Sequence, residues 1–277
     1  MATNYVKRAF EILQGEGPVE LSKKSTRFLL RNLLRPLDPQ YHRRFKFYTW
    51  KNHLQNRVKY DAPPDPYGTI QIRPSEIDNR VGYTYKERTV PRVRDAGLAQ
   101  TKSGDWDTNR VNIENSFIIK GITEYFKEGK EWKDTVYYNH ICKKYSENST
   151  KYKNKGYDNL DNYLKDSFNS VENLFDKIKS EGYKPNHNGQ HVRPGHAQPV
   201  RDKLEVLVTI DRRGEINFYE GNHRFGISRV LNIEIPAHVV CRHKKWQELR
   251  DEIHNNGLPE GREDLRDHSD LQDILSV

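Results

Sequence analysis

The stretch FYEGNHRFGISRVL, residues 218–231, decides the fold. Its first part is typical of a strand that ends at Glu220, and its second part predicts a short helix that starts near His223. Gly221 separates the two and permits the tight turn that such a junction needs. Gly226 is expected to let the helix approach a sheet closely. The apolar residues that pack this helix down are Ile227, Val230 and Leu231.

The sequence on both sides of this stretch has the period-2 alternation of strands. Val206, Val208 and Ile210 alternate, and the turn residues 211–214 then lead into a strand at 216–220, which predicts a hairpin. Residues 235–241 alternate in the same way. The predicted order is strand, strand, helix, strand.

Upstream segments have helical periodicity. An apolar stripe from Leu160 to Ile178 predicts one long helix that is closed by Gly182, and two amphipathic helices are predicted within 111–146. Residues 69–73 alternate like a short strand, whereas 79–110 have weak periodicity and predict a long surface loop. We therefore expect an α+β fold with a small mixed sheet, packed helices, a helical N-terminal arm and a helical insertion at about 111–146.

The composition excludes several classes of protein. Of the 277 residues only 34% are hydrophobic, but the 11% aromatic content is too high for a disordered polyelectrolyte. Cys142 and Cys241 are far apart and lack metal-binding spacing, so neither a disulfide framework nor a cysteine zinc site is supported. Because no apolar run approaches the roughly 20 residues of a membrane span, we expect no transmembrane segment and a cytoplasmic location.

The positive charge is concentrated at one end. Residues 1–60 hold 13 Lys and Arg against 4 Asp and Glu, and we separate this basic arm from a domain at 61–277. Within it, YHRRFKFYTWKN (41–52) interleaves basic and aromatic residues. This mixture could bind nucleic acid or an acidic membrane surface. Alternatively, the aromatic residues dock the arm on the main body while Lys and Arg stay solvated.

The turn after the 216–220 strand has the chemistry of an anion site. A helix that starts here directs free backbone N–H groups and its positive dipole end at whatever lies above Gly221. Arg224 can add a bidentate fork for phosphate, and Asn222 and His223 offer further side-chain donors. We expect Gly221, Asn222, His223 and Arg224 to bind phosphate groups.

Glu220 is unusual beside an anion site because a carboxylate repels phosphate. It is compatible with phosphate if it holds a magnesium ion, accepts a proton from a substrate hydroxyl or pairs with Arg224. We therefore rank Glu220 and His223 as catalytic candidates. The alternatives are a structural Glu220–Arg224 pair at the junction and a helix-start donor role for His223.

The pattern GEINFYEGNHRFGISRVLNIEIPAHVV (214–240) resembles the nucleotide-binding core of the ParB/sulfiredoxin superfamily. TIQIRPSEIDN (69–79) resembles the opening strand of that core, and FDKIKSEGYKPN (175–186) resembles the helix before its central strands. The resemblance implies that nucleotide phosphates lie over the turn that here reads Gly221-Asn222-His223-Arg224.

Differences from the superfamily point to one of its branches. Sulfiredoxin has a cysteine before its His-Arg pair, where this chain has Asn222, so thiol chemistry is not expected. Partition proteins continue into helix-turn-helix and dimerisation domains, for which residues 243–277 are too few. The kinase-like branch matches best.

That branch implies Mg²⁺ with a nucleotide (ATP, ADP or CTP) as cofactor, and phosphoryl transfer to a small hydroxylated acceptor or nucleotide hydrolysis. Glu220 would handle the metal or the hydroxyl. A second acidic catalytic residue is not fixed by the resemblance, and its candidates are Asp105, Asp107 and Glu76. The Asp105-Trp-Asp107 doublet is equally typical of an ordinary turn.

Other functions stay open at this stage. His187, His191 and His196 lack the helical spacing of a zinc site, so we predict no resident metal site. The basic arm at 1–60 supports the alternative of a nucleic-acid-binding protein or nuclease. A scaffold that keeps the fold and binds a protein partner is the third class.

Overall fold

In this computed structural model the chain divides into two compact units, Met1–Arg43 and Arg44–Val277. The structure describes residues 18, 22, 42–82, 89–146, 150–153, 156–186 and 204–275. Most of the sequence predicted to form helices in 1–40 and the histidines at 187–196 lie outside the described residues. The boundary between the two units falls within the predicted basic arm, so residues 44–60 of that arm belong to the second unit.

The described residues form a mixed seven-stranded sheet, and with the helices packed on it they confirm the predicted α+β class. Its strands are β1 Thr69–Ile72, β2 Asn79–Val81, β3 Gln100–Lys102, β4 Arg110–Asn112, β5 Val206–Ile210, β6 Ile216–Glu220 and β7 Ile235–His243. The strand order is β1-β7-β5-β6-β2-β4, and β3 pairs with the end of β7 beyond β1.

The centre of the sheet is the part that the alternating sequence predicted. β5 and β6 form the expected antiparallel hairpin, in which Ile210 pairs with Ile216. β7 then lies parallel to β5, and β2 lies parallel to β6 on its other side, with Arg80 opposite Phe218. Because β2 and β6 are parallel, both end at the same edge of the sheet, where the Glu220 turn lies.

The prediction of a long loop over 79–110 was wrong. This segment contributes three strands, β2, β3 and β4, and the short helix Val93–Ala96. Each of the three strands has only three residues, too few for a period-2 pattern to be recognised in the sequence. β2 and β3 form along the edges of the longer strands β6 and β7, and β4 then pairs with β2. Leu98 and Trp106 are buried beside them.

The two helices of the predicted insertion and the long helix after it follow the prediction. The helices of the described residues are α1 His42–Lys59, α2 Val93–Ala96, α3 Phe117–Phe126, α4 Val136–Ser146, α5 Thr150–Lys153, α6 Leu160–Glu181, α7 Asn222–Leu231, α8 Lys244–Asn256 and α9 Gln272–Leu275. Short 3-10 turns occur at Pro74–Glu76, Ile113–Asn115, Trp132–Asp134 and Glu263–Leu265. Among the described helices, none combines the length and apolarity needed to cross a membrane.

α7 lies between the sheet and the helical insertion. Phe225 is fully buried and its ring lies 4.3 Å from that of Phe218 on β6. Ile227 packs in a cluster with Ile122 of α3. Gly226 also faces α3, since a Cβ built there would lie 3.1 Å from Ile122 Cδ1. We had expected Gly226 to let α7 approach the sheet. The close approach at Gly226 is instead to a helix of the insertion.

The opposite face of the sheet is covered by α1 and the segment around α2. Phe45 of α1 is buried in a cluster with Leu207 and Tyr219 of the central hairpin. Asn52 donates hydrogen bonds to the carbonyl oxygens of Ala96 and Leu98, at 2.8 and 2.7 Å. This part of the basic arm is thus anchored on the main body.

The C-terminal segment is tied to the sheet by a buried carboxylate. Asp270 accepts hydrogen bonds from Arg242 Nε at 3.0 Å and from Trp246 Nε1 at 2.8 Å. Arg250, which is fully buried, lies 3.4 Å from the same carboxylate. Burial raises the pKa of Asp270, but the arginine charges outweigh it, so the net direction is downward. The ion cluster links β7, α8 and the chain beyond them.

We expect Asp270→Asn to lower the free energy of unfolding by about 3–5 kcal/mol, because two buried guanidinium groups lose their shared charge partner. Urea denaturation measures this effect, with Asp264→Asn, an exposed carboxylate of the same segment, as the control. Since the folded-state pKa is depressed, the stabilisation by Asp270 is present above the unfolded pKa of about 3.9 and is lost as the pH falls through the lower folded value. Equal effects of the two substitutions would contradict this role.

Candidate functional site

The turn between β6 and α7 has the geometry that the sequence predicts. Gly221 has φ +108° and ψ 36°, in the left-handed region, and α7 begins at the next residue. A Cβ at this position would lie 3.3 Å from Cα of Val206, so strain and close packing both favour glycine. The Phe225 N–H donates to the Gly221 carbonyl oxygen at 3.0 Å and closes the first helical turn. The N-terminus of a ten-residue helix thus opens at the edge where β6 ends.

Asn222 is held by an arginine that the sequence analysis missed. Arg80 of β2 donates from Nη2 to Asn222 Oδ1 at 2.7 Å, and its guanidinium carbon lies 4.8 Å from the centre of the Phe218 ring. Only 8% of Arg80 is exposed. Its position follows from the parallel pairing of β2 with β6, which the three-residue strand did not reveal in the sequence. A second guanidinium therefore lies beside the turn.

His223 contacts the helical insertion. A hydrogen bond of 2.9 Å joins His223 Nε2 to the hydroxyl of Tyr137 on α4, and the Tyr137 side chain is otherwise buried. Gly121 of α3 makes this approach possible, since a Cβ there would lie 2.3 Å from Tyr137 Cβ. The sequence analysis predicted a helix in this segment but assigned no role to Tyr137. The structure makes it a positioning residue for the His223 ring.

Arg224 is engaged with the protein in this structure. Its Nη1 donates to Glu205 Oε2 at 3.3 Å and to the Tyr183 hydroxyl at 3.2 Å, and its Nη2 donates to the Leu204 carbonyl at 2.8 Å. The side chains of Arg224 and Glu205 are 12% and 5% exposed. Arg224 is therefore a structural partner of Glu205, in addition to any contact that it makes with a ligand.

Glu205 is the centre of this buried group. It accepts a hydrogen bond from the Tyr183 hydroxyl at 2.7 Å and one from the Asn186 backbone N–H. Burial raises the pKa of Tyr183, so its hydroxyl stays protonated and acts as a donor. Asn186 Nδ2 also donates to the Leu204 carbonyl at 3.1 Å. These contacts bring the chain after α6 and the chain before β5 together beside α7.

Glu220 is the last residue of β6 and is half-buried, opposite Leu207 of β5. The structural ion pair that we considered as the alternative role for Glu220 is formed instead by Glu205, 15 positions earlier, since it is Glu205 that lies against Arg224. The sequence offered no signal for this pairing because Glu205 precedes the predicted hairpin. Glu220 remains the acidic residue of the turn itself.

The structure does not bring the candidates for a second acidic residue to the turn. Asp105 and Asp107 both bind Arg212 in the β5–β6 turn, at the far end of β6 from Glu220. Burial raises the pKa of Asp107, but hydrogen bonds from Arg212 outweigh it and lower the pKa to about 2. Asp105 also closes an ordinary turn through the Thr108 N–H, at 3.2 Å. The Asp-Trp-Asp doublet is thus a structural feature.

Glu76 lies in the 3-10 turn after β1 and pairs with Arg73 at 3.1 Å. The carbonyl of Pro74, which begins that turn, accepts a hydrogen bond from Arg229 in the last turn of α7. Glu76 is therefore associated with the C-terminal end of α7, whereas the candidate site is at its N-terminus. Within the described part of the chain, no group of three or more His, Cys, Asp or Glu side chains has the arrangement of a metal site.

Comparisons of the chain with family models, with curated proteins and with solved structures found no match. The superfamily resemblance therefore stays a prediction that rests on the residues of the turn.

We expect Glu205→Gln to destabilise the fold by about 2–3 kcal/mol, because the buried Arg224 guanidinium loses its charge partner. The matched control is Glu234→Gln, which alters an exposed Glu–Arg pair with an N–O distance of 2.7 Å to Arg73. That change should cost less than about 1 kcal/mol, since exposed ion pairs contribute little. Urea midpoints compare the two, and a larger loss for Glu234→Gln would contradict the structural role of Glu205.

Proposed function

We propose that the chain binds the phosphate groups of a nucleotide over the turn 220–224 and carries out phosphoryl transfer or nucleotide hydrolysis there. The observation that carries this proposal is the convergence of the α7 N-terminus with two arginines at one edge of the sheet. Arg80 reaches the turn from β2 on one side of β6, and Arg224 is held against the chain that enters β5 on the other. Oriented N–H groups and guanidinium groups are the donors that phosphate binding requires.

The backbone would supply most of the phosphate contacts. The N–H groups of Asn222, His223 and Arg224 lie in the first turn of α7, where helical partners are lacking and the dipole is positive. Arg224 can take part without leaving Glu205, because a guanidinium has five N–H donors and its three contacts do not use all of them. This arrangement supports recognition of phosphates rather than of a particular base.

Glu220 and His223 would supply the chemistry. A carboxylate at the strand end can accept the proton of an acceptor hydroxyl or of a water molecule, and His223, oriented by Tyr137, can donate to a phosphate oxygen. Magnesium binds through one or two carboxylates together with substrate phosphates, and Glu220 fits that requirement. Bound magnesium would neutralise phosphate charge. The reaction itself would depend on positioning and charge, as phosphoryl transfer does.

The order β5-β6-α7-β7 is the strand, strand, helix, strand order that the sequence periodicity predicted. The kinase-like reaction is proposed from the resemblance of residues Glu220 to Arg224 to that branch of the ParB/sulfiredoxin superfamily. The acceptor would then be a small hydroxylated molecule. Nucleic-acid binding through residues 1–60, with or without nuclease activity, is the alternative that follows from the charge of the arm.

Thermal denaturation with ATP, ADP, CTP and tripolyphosphate, each with and without magnesium, tests binding. At least one nucleotide should stabilise the chain, by about 2.7 kcal/mol at a concentration 100 times its Kd. Tripolyphosphate should also bind, because the turn recognises phosphate. The absence of any stabilisation would refute the proposal.

The substitution Asn222→Asp distinguishes an effect on nucleotide affinity from an effect on the stability of the fold. The new carboxylate lies at the helix N-terminus within reach of Arg80, so we expect stability to be unchanged or to rise by up to about 1 kcal/mol. The same charge should weaken nucleotide binding by about tenfold or more, because it repels phosphate. Titration calorimetry and urea denaturation measure the two effects.

The control is Asn232→Asp at the other end of α7, where Asn232 has φ +52° and accepts a hydrogen bond from Ser75. A negative charge there opposes the helix dipole, so stability should fall slightly while nucleotide affinity stays the same. If Asn222→Asp leaves nucleotide affinity intact, the ligand does not lie over the turn.

Glu220→Gln tests the catalytic role. It should preserve nucleotide binding and reduce turnover by at least about a hundredfold, the contribution typical of a general base. Glu215→Gln, at the opposite end of β6, is the control and should turn over normally. Normal turnover by Glu220→Gln would remove Glu220 from the mechanism.

A further inference from the structure

The outer face of α1 carries a stripe of exposed apolar side chains in the described part of the chain. Five large apolar side chains are exposed in the described part of the chain, and four of them lie on this helix. They are Phe47 (55% exposed), Trp50 (57%), Leu54 (41%) and Val58 (86%). Their spacing of three and four residues aligns them along about 16 Å of helix.

This stripe lies on the side of α1 opposite to its docked face. Phe45, Thr49 and Asn56 are buried against the main body, and at 100° per residue they are centred about half a turn away from Phe47 and Leu54. The expectation that the aromatic residues dock the arm is therefore correct for Phe45 but wrong for Phe47 and Trp50. An apolar stripe of this length normally faces a core.

The charge around the stripe has one sign. α1 contains six Lys and Arg and no Asp or Glu. Lys46, Lys51 and Arg57 are exposed, and their helical positions border the stripe on both sides. On this outer face, the apolar side chains can contact hydrocarbon while the bordering Lys and Arg side chains are attracted to the phosphates of an anionic membrane.

We propose that the outer face of α1 docks the protein on an anionic lipid surface. The face consists of Phe47, Trp50, Leu54 and Val58 with Lys46, Lys51 and Arg57. With its inner face packed on the main body, α1 would lie parallel to the membrane, with the apolar side chains among the upper acyl chains and the Lys and Arg side chains at the lipid phosphates. This binding is independent of the nucleotide proposal.

The side chains favour a lipid over single-stranded nucleic acid. The rings of Phe47 and Trp50 lie beside each other, with centres 6.1 Å apart and planes tilted by 37°, and more than half of each side chain is exposed. Leu54 and Val58 offer no aromatic surface for a base, whereas both gain free energy in hydrocarbon.

Flotation of the full chain with vesicles tests the proposal. Vesicles of phosphatidylcholine with about 30% phosphatidylserine should carry the protein to the top of a density gradient, and pure phosphatidylcholine should carry much less. Because part of the attraction is electrostatic, added salt should weaken it without abolishing it. Failure of the wild-type chain to float with anionic vesicles would overturn the proposal.

Matched variants locate the surface. We expect the double change Trp50→Ser and Leu54→Ser to reduce vesicle binding about tenfold or more, while Tyr67→Ser, at the remaining exposed large apolar residue, leaves it unchanged.

The double change Lys46→Glu and Lys51→Glu should reduce vesicle binding about as much as the double change at Trp50 and Leu54. Lys143→Glu with Lys144→Glu makes the same charge change on α4 and should have little effect. Equal losses in the two lysine pairs would overturn the proposal in favour of non-specific charge attraction.

Brominated acyl chains test insertion, because they quench tryptophan fluorescence at short range. Trp106 and Trp246 are buried, and Trp132 is partly buried between Tyr125 and Phe168 in the helical insertion. Quenching should therefore come mainly from Trp50 and should largely disappear in Trp50→Phe, which still binds. Two results, each in a chain that does not bind vesicles, would overturn the proposal. One is a dimer that light scattering detects and that Leu54→Ser dissociates. The other is binding of a single-stranded oligonucleotide that depends on this face of α1.

Discussion

The reversal of the chain at Gly221 is the constraint on which the rest of the domain depends. Its left-handed backbone, packed against Val206, lets α7 begin directly after β6. Phe225 then reaches the Phe218 ring, and Ile227 meets the cluster that contains Ile122. One residue thus aligns the helix with both of its neighbouring layers, and the same residue places the helix N-terminus at the edge of the sheet. The Gly221 turn therefore determines both the packing of α7 and the position of the proposed phosphate site.

The side chains around this turn come from distant parts of the chain and are held before any ligand arrives. Arg80 is fixed by the parallel pairing of β2, His223 by Tyr137 of the insertion, and Arg224 by the buried carboxylate of Glu205. Fixed donors lose little conformational freedom on binding, which favours affinity for a charged ligand. The insertion is therefore part of the site's architecture, since its Tyr137 reaches α7 only because Gly121 leaves room.

The spacing of apolar residues and the positions of glycines predicted those parts of the fold that depend on short stretches of sequence. The β5–β6 hairpin, the Gly221 turn, the long helix α6 and the helices of the insertion were all predicted from apolar spacing and from glycine. The strands of residues 79–112 were missed because three-residue strands form through their partners and carry no readable period. The contacts of Arg224 with Glu205 and of His223 with Tyr137 were missed for a related reason: each depends on tertiary packing between segments that are 19 and 86 positions apart.

The central claim is that a phosphate group lies over the first turn of α7. The most direct measurement is the backbone amide spectrum of ¹⁵N-labelled protein during titration with the nucleotide that binds best. We predict saturable downfield shifts of the Asn222, His223 and Arg224 amide protons, as new N–H donors engage phosphate oxygens. Saturation of binding with these three amides unchanged, and with shifts confined to another region, would contradict the account.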